Sequence, residues 1–193
     1  PGEVDPEERE PRVRDRVDQP ADQVASVRRE AAARHIPISR AVAGEQRRTG
    51  SLSWQVLWPP PDPAPEPDGP NDASVAMLVR SAGLRLLLLG DLEPPAQRAL
   101  LRSPEGALLG GVDVLKVAHH GSAYQDPELI RAVAPRVALI SVGADNTYGH
   151  PAPSTVEALR AEGAVVLRTD RDGALAVTDP GGRLGVARAR LGS

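Results

Sequence analysis

The sequence predicts an α/β fold, and three features carry the prediction. Short apolar runs with strand character recur, several of them continuous, as in "LRLLLLG" at 84–90 and "RVALISVG" at 136–143; continuous rows mark strands buried on both faces. Between them lie "EPPAQRALLR", "DPELIRAVA" and "APSTVEALRAEG", each with proline near a helix start, where its missing N–H is harmless. From residue 112 onward strand and helix alternate, the rhythm of a layered sheet with crossover helices.

The elements follow in order. Residues 1–20 mix both charges with proline and carry too few apolar residues to anchor a fold, so they are expected to be a poorly ordered lead-in. "ADQVASVRREAAARHIP" is expected to be a helix stopped at Pro37, with His35 at its end in a structural role. "SLSWQVLW" at 51–58 alternates as a strand, and "PPPDPAPEPDGPND" at 59–72 is too rich in Pro and Asp for helix or sheet and is expected to be a loop. "ASVAMLVR" and "LRLLLLG" are expected to be paired strands around a turn at 81–83, followed by the helix of "EPPAQRALLR". Then come strand "VDVLKVA", helix "DPELIRAVA", strand "RVALISVG", helix "APSTVEALRAEG", and strands "AVVLRTD" and "ALAVT". "RTDRDG" between the last two suits a tight turn, with Asp170 and Asp172 beside Gly173. The final residues, 181–193, are a tail or a last strand. The expected domain therefore covers 21–180.

Composition bounds the function. A chain of 193 residues that is 40% hydrophobic suits one domain better than two. It has no Phe, so Leu, Val and Ala must fill the core. With no Cys there is neither a disulfide nor a thiolate metal site, and any transition metal must be held by His, Asp or Glu. A net charge of −3 argues against a non-specific nucleic-acid coat, while leaving room for a local basic groove. No apolar run approaches the roughly 20 residues of a membrane helix, and the start lacks a signal-peptide pattern, so a soluble piece is expected.

In a layered α/β fold, function collects where strands end. Three ends carry unusual polar groups. "LLLLGD" places Asp91 after four leucines, "VLKVAHHGS" places His119 and His120 after a strand, and "LISVGADNTYGHP" places Asn146 and His150 beyond another. Singly, each has a bland reading as turn, cap or loop. Together they use three of the four histidines. Carboxylate and imidazole form the ligand set for zinc, manganese or iron, two such ions can hold phosphoryl oxygens, and a histidine free of metal can protonate a leaving oxygen.

The runs "NDASVAMLV", "LLLLGDLE", "DVLKVAHHGS", "RVALISVGADNTYGHP" and "TVEALRAEGAVVLRTDRDGALAV" resemble the carboxy-terminal metallo-β-lactamase-fold domain of the ComEC family of DNA-uptake competence proteins. The resemblance covers about residues 51–178 well and 20–50 loosely. It implies a four-layer αββα sandwich, present here in its downstream part, with a metal-dependent phosphodiesterase acting on the DNA strand that is not imported. It implies Asp91, His119 and His150 as metal ligands and His120 as catalytic histidine, with the roles of His119 and His120 interchangeable. Lys116, the chain's only lysine, is a second catalytic candidate; Ser122, Asn146 and Arg168 are candidate substrate-binding residues. The implied cofactors are two divalent ions, Zn or Mn, and the implied partners are single-stranded DNA and the membrane channel domain of a parent protein of the inner membrane, this domain lying on its outer face. The HxHxDH-like cluster that opens the metallo-β-lactamase signature is not found upstream of Asn71. This chain alone is therefore expected to bind metal weakly or not at all. Two other readings stand beside this one: a stand-alone hydrolase of the same superfamily, and an inactive fragment with a binding or structural role.

Overall fold

The computed structural model describes residues 20–61, 69–179 and 183–189. The lead-in, apart from its last residue, and much of the Pro/Asp-rich loop lie outside these. Two units are distinguished, one ending at Arg40 and the other beginning at Ala41.

The first unit contains helix α1 (Pro20–Ala33). Its end follows from local hydrogen bonding. His35 adopts a left-handed φ of 53°, its N–H donates to the Ala32 carbonyl, and the Ile36 N–H donates to the Ala31 carbonyl at 2.8 Å. This is the Schellman arrangement, which satisfies the last carbonyls of a helix.

The second unit is built on a seven-stranded mixed sheet in sequence order: β1 (Gln46–Thr49), β2 (Leu52–Trp58), β3 (Ala76–Ser81), β4 (Leu84–Leu88), β5 (Val114–Lys116), β6 (Val137–Ile140) and β7 (Val165–Arg168). The first four strands are antiparallel neighbours; from β4 to β7 every pairing is parallel. The change has a plain cause. β3 and β4 are joined by Ala82 and Gly83, both at positive φ, a two-residue hairpin connection. After β4 each link carries a helix, as a parallel return requires: α2 (Pro94–Arg102), α3 (Pro127–Val133) and α4 (Pro153–Ala161).

The helices cover one face. Leu78, Leu87, Leu115 and Ala138 occupy one row of the register and are buried with Leu100 of α2, Leu129 of α3 and Leu159 of α4. Each fully buried leucine contributes about 1.5–3 kcal/mol. The alternate residues, Val114, Val137 and Leu167, face the other way and pack with Leu175, Val177 and Val186 of the antiparallel pair β8 (Ala174–Thr178) and β9 (Gly185–Ala189). Helices, sheet and hairpin thus make an α/β sandwich, in agreement with the expected class.

Two elements differ from expectation. β1 reads "QRRT" and all four residues are exposed, so it has no apolar alternation to announce it; pairing with β2 alone makes it a strand. "RTDRDG" is a helical turn, α5 (Thr169–Asp172), instead of a tight strand-to-strand turn. Of the two readings for the stretch from 181 onward, the last strand is the one found: β9 pairs with β8 just upstream.

Candidate functional site

Because β4 to β7 run in parallel, their carboxyl ends open at one edge of the sheet, where such folds place ligands. Asp91 follows β4 through Gly90, at φ 58°; a side chain there would put its Cβ 2.8 Å from that of Ser74. Ser74 Oγ in turn accepts the Asp91 N–H at 3.0 Å. After β5 the chain turns in a single 3-10 turn, Ala118–Gly121, in which both His119 (φ 44°, ψ 49°) and His120 (φ 51°, ψ 24°) are left-handed. The His119 N–H donates to the Gly90 carbonyl at 3.1 Å, tying the end of β5 to that of β4.

The third segment follows β6. Thr169 Oγ1 accepts the Val142 N–H and donates to the Val142 carbonyl, both at 2.7 Å. Asn146 Oδ1 accepts the N–H groups of Tyr148 and His150 at 3.0 and 3.1 Å, an Asx-type bond that folds the loop on itself. That loop is anchored to the histidine turn by the Ala152 N–H, which donates to the Gly121 carbonyl at 2.8 Å.

These segments bring Asp91, His119, His120, Asn146 and His150 to one open crevice of about 340 Å³, lined also by Val142, Gly143 and Tyr148. His119 and His150 meet edge to face with ring centroids 5.5 Å apart. Burial, and the neighbouring His119 and His120, hold the His150 imidazole below its usual pKa. His120 Nδ1 lies 2.8 Å from the Ser141 carbonyl and 3.3 Å from the Ser141 hydroxyl; the nearer carbonyl only accepts, which favours the proton on this nitrogen. The other nitrogen, Nε2, faces Asp91 Oδ1 at 3.8 Å.

The remaining candidates are placed differently. Lys116, on β5, donates from Nζ to the Val117 carbonyl at 2.7 Å. Burial lowers its pKa, opposed by the charge of Asp91; it does not line the crevice. Ser122 is 2% exposed, and its Oγ accepts the Tyr124 N–H at 3.2 Å. The Arg168 guanidinium donates to both oxygens of Asp170, at 3.0 and 2.5 Å, and it too lies outside the crevice lining. Sequence reasoning overlooked three residues. Ser141 supplies a backbone carbonyl, which no side-chain pattern reveals. Tyr148 stands at the rim, 82% exposed, 6.2 Å from the His150 ring. Glu93 approaches His119 Nδ1 to 3.5 Å, although its position just before a helix suggests a cap.

The donor set suits a divalent cation only in part. In a neutral His120 the Nε2 lone pair opposes a carboxylate oxygen, a contact relieved by a proton or by a cation between the two. Two donors about 2.0–2.2 Å from one tetrahedral ion stand about 3.3–3.6 Å apart, a little shorter than the observed 3.8 Å. A catalytic zinc keeps three protein ligands, however, and among the described residues no group of three or more His, Asp or Glu is arranged to hold an ion. The residues described here do not by themselves complete a metal site.

Fold and crevice together define an α/β sandwich domain with imidazole and carboxylate groups gathered at the carboxyl ends of parallel strands. No family model matches the chain. It is 31% identical over 141 residues to ComE operon protein 3 of Bacillus subtilis (strain 168), covering 72% of this chain and 17% of that protein. It is 36% identical over 106 residues to competence protein ComA of Neisseria gonorrhoeae, 54% of this chain and 15% of that one. It is 35% identical over 121 residues to recombination protein 2 of Haemophilus influenzae, 62% and 15%. The chain is homologous to these competence proteins, in agreement with the resemblance read from its motifs and consistent with a carboxy-terminal ComEC domain. It spans about one sixth of the length of the relatives it matches. Among the described residues, no helix is long and apolar enough to cross a membrane.

Proposed function

We propose that this chain is the phosphodiester-hydrolysing domain of a DNA-uptake competence protein, of metallo-β-lactamase type, degrading the DNA strand that is not imported. Homology to competence proteins supports the role in DNA uptake. The observation that carries the hydrolytic reading is the convergence of Asp91, His119, His120 and His150 on one crevice at the parallel strand ends. Asp91 and His120 offer adjacent oxygen and nitrogen donors for a divalent Zn or Mn ion, and a complete two-metal centre needs donors additional to those described. The ring of Tyr148, exposed beside His150, offers a platform on which a base of single-stranded DNA stacks. The parent protein would be a membrane channel, with this domain on the outer face.

The test is hydrolysis of end-labelled single-stranded DNA with Mn²⁺ or Zn²⁺, by this chain alone and by a full-length competence protein that carries it. The chain alone should show little activity. The full-length protein should cut, and Asp91→Ala should lower its rate at least about 100-fold, since even outer-shell changes around a metal cost 10–100-fold. Full activity of the Asp91→Ala protein would sink the reading.

A further inference from the structure

Glu93 occupies the residue before α2, where a side chain ordinarily accepts N–H groups of the first helical turn. It makes no such bond. Its carboxylate turns away, and Oε1 accepts the Asn71 amide at 2.9 Å while standing 3.5 Å from His119 Nδ1. That nitrogen is buried and has no hydrogen-bond partner among the described residues, although the side chain as a whole is 26% exposed. The exposed part of the His119 ring is therefore not its Nδ1 edge. A buried polar atom left unpaired is costly, and among the described residues the charged acceptor facing it is Glu93.

From this juxtaposition we infer that Glu93, held by Asn71, is a positioning residue that fixes His119 as its Nδ1–H tautomer and turns the Nε2 lone pair to the crevice. A carboxylate only accepts, so the ring nitrogen facing it must carry the proton. Closing the gap by a few tenths of an ångström makes the charge-assisted bond, and such bonds are commonly long before substrate arrives. At His120 the Ser141 carbonyl, 2.8 Å from Nδ1, outweighs Asp91 Oδ1, 3.8 Å from Nε2, and favours the same tautomer by another route. Adjacent histidines thus present the same nitrogen, each held from behind by a different acceptor. What that nitrogen does in hydrolysis rests on the proposed function; the tautomer does not.

The test needs no activity. The imidazole ¹⁵N shifts of the labelled 193-residue chain, recorded at a pH where histidine is neutral, separate a protonated from an unprotonated ring nitrogen. His119 should show Nδ1 protonated. In Glu93→Ala the ratio of its tautomers should change by at least about tenfold toward Nε2–H, the size of a hydrogen bond to a charged group. Glu93→Gln retains a carbonyl acceptor and should preserve Nδ1–H. His120 should be unchanged throughout, which reports that the fold is intact. Should Glu93→Ala disturb His120 as well, Asn71→Ala, which frees the carboxylate, must shift His119 in the same direction. A wild-type His119 protonated on Nε2, or a His119 indifferent to these changes, overturns the inference while leaving the hydrolytic reading to the Asp91 test. In an active full-length protein, Glu93→Ala should lower kcat about 10–100-fold with KM little changed.

Discussion

Gly121 offers a quantitative test of how the site is held. It sits at φ 76°, and a Cβ added there would lie 2.7 Å from Pro151 Cβ and 3.2 Å from Ile140 Cγ2. Neither neighbour can yield easily, since Pro151 is a ring fixed to the backbone and Ile140 is fully buried. Two terms add in Gly121→Ala. The left-handed conformation costs an L-residue about 1–2 kcal/mol, and overpacking typically costs about 1–3 kcal/mol, so the expected loss is about 2–5 kcal/mol. Against a total stability of about 5–15 kcal/mol this is large, corresponding to a fall in Tm of roughly 5–20 °C for a domain of this size. Urea denaturation followed by tryptophan fluorescence measures it directly, because Trp58 is 6% exposed and its indole N–H donates to the Asp72 carbonyl. Gly110, where an added Cβ meets no atom of the described residues within 4 Å and φ is not positive, is the control, and Gly110→Ala should stay within about 0.5 kcal/mol. If Gly121→Ala is as mild as that control, the two histidine-bearing loops are not packed as described.

Other outcomes follow from the same geometry. Asp91→Ala should leave the urea midpoint nearly unchanged, since this half-exposed carboxylate has no part in the packed core; a loss above about 2 kcal/mol would make it structural. Tyr148→Ala should weaken binding of single-stranded oligonucleotides by about 5- to 150-fold, the range of about 1–3 kcal/mol per stacked base, whereas Tyr148→Phe should bind as the wild type does; equal binding by all three refutes the platform. Hydrogen bonding from Arg168 holds the Asp170 carboxyl below its ordinary pKa. Its stabilising contribution is therefore complete above about pH 4, the unperturbed value, and is lost as pH falls through the depressed native pKa. Asp170→Asn should flatten that part of the stability–pH curve, and an unchanged acid limb would contradict the assignment. Elemental analysis of the chain after dialysis against Zn²⁺ should find less than one ion per chain; two tightly held ions would mean that the described donors suffice.

Much of this was legible because the signals are local. "LLLLGD" and "VLKVAHH" show a buried row giving way to polar groups, and in a parallel sheet such transitions necessarily share an edge. Proline marks α3 in the sequence, and the Asp126 carboxylate caps it by accepting the Glu128 and Leu129 N–H groups. What stayed hidden depends on partners far along the chain. β1 is a strand only because β2 is there to pair with it. Glu93 stands out in no sequence pattern until His119, distant in sequence, comes to face it. Arg168 looked available for a phosphate, yet its guanidinium is taken up by Asp170 two residues on, a local pairing that the short helical turn of α5 sets up and the strand-turn-strand reading lacked.

The left-handed backbone at His119 and His120 governs how this site can be dissected by mutagenesis. Alanine scanning assumes that truncation removes a side chain and leaves the main chain indifferent. At these two positions it does not, because alanine is ill at ease in that conformation whereas asparagine and glycine tolerate it. A His→Ala change therefore mixes lost chemistry with relaxation of the turn that also positions Gly121 and, through Ala152, the loop carrying His150. Asparagine is the cleaner replacement: it deletes the imidazole while keeping a residue suited to the backbone. Comparing Asn, Gly and Ala at each position separates what the rings do from what the turn does.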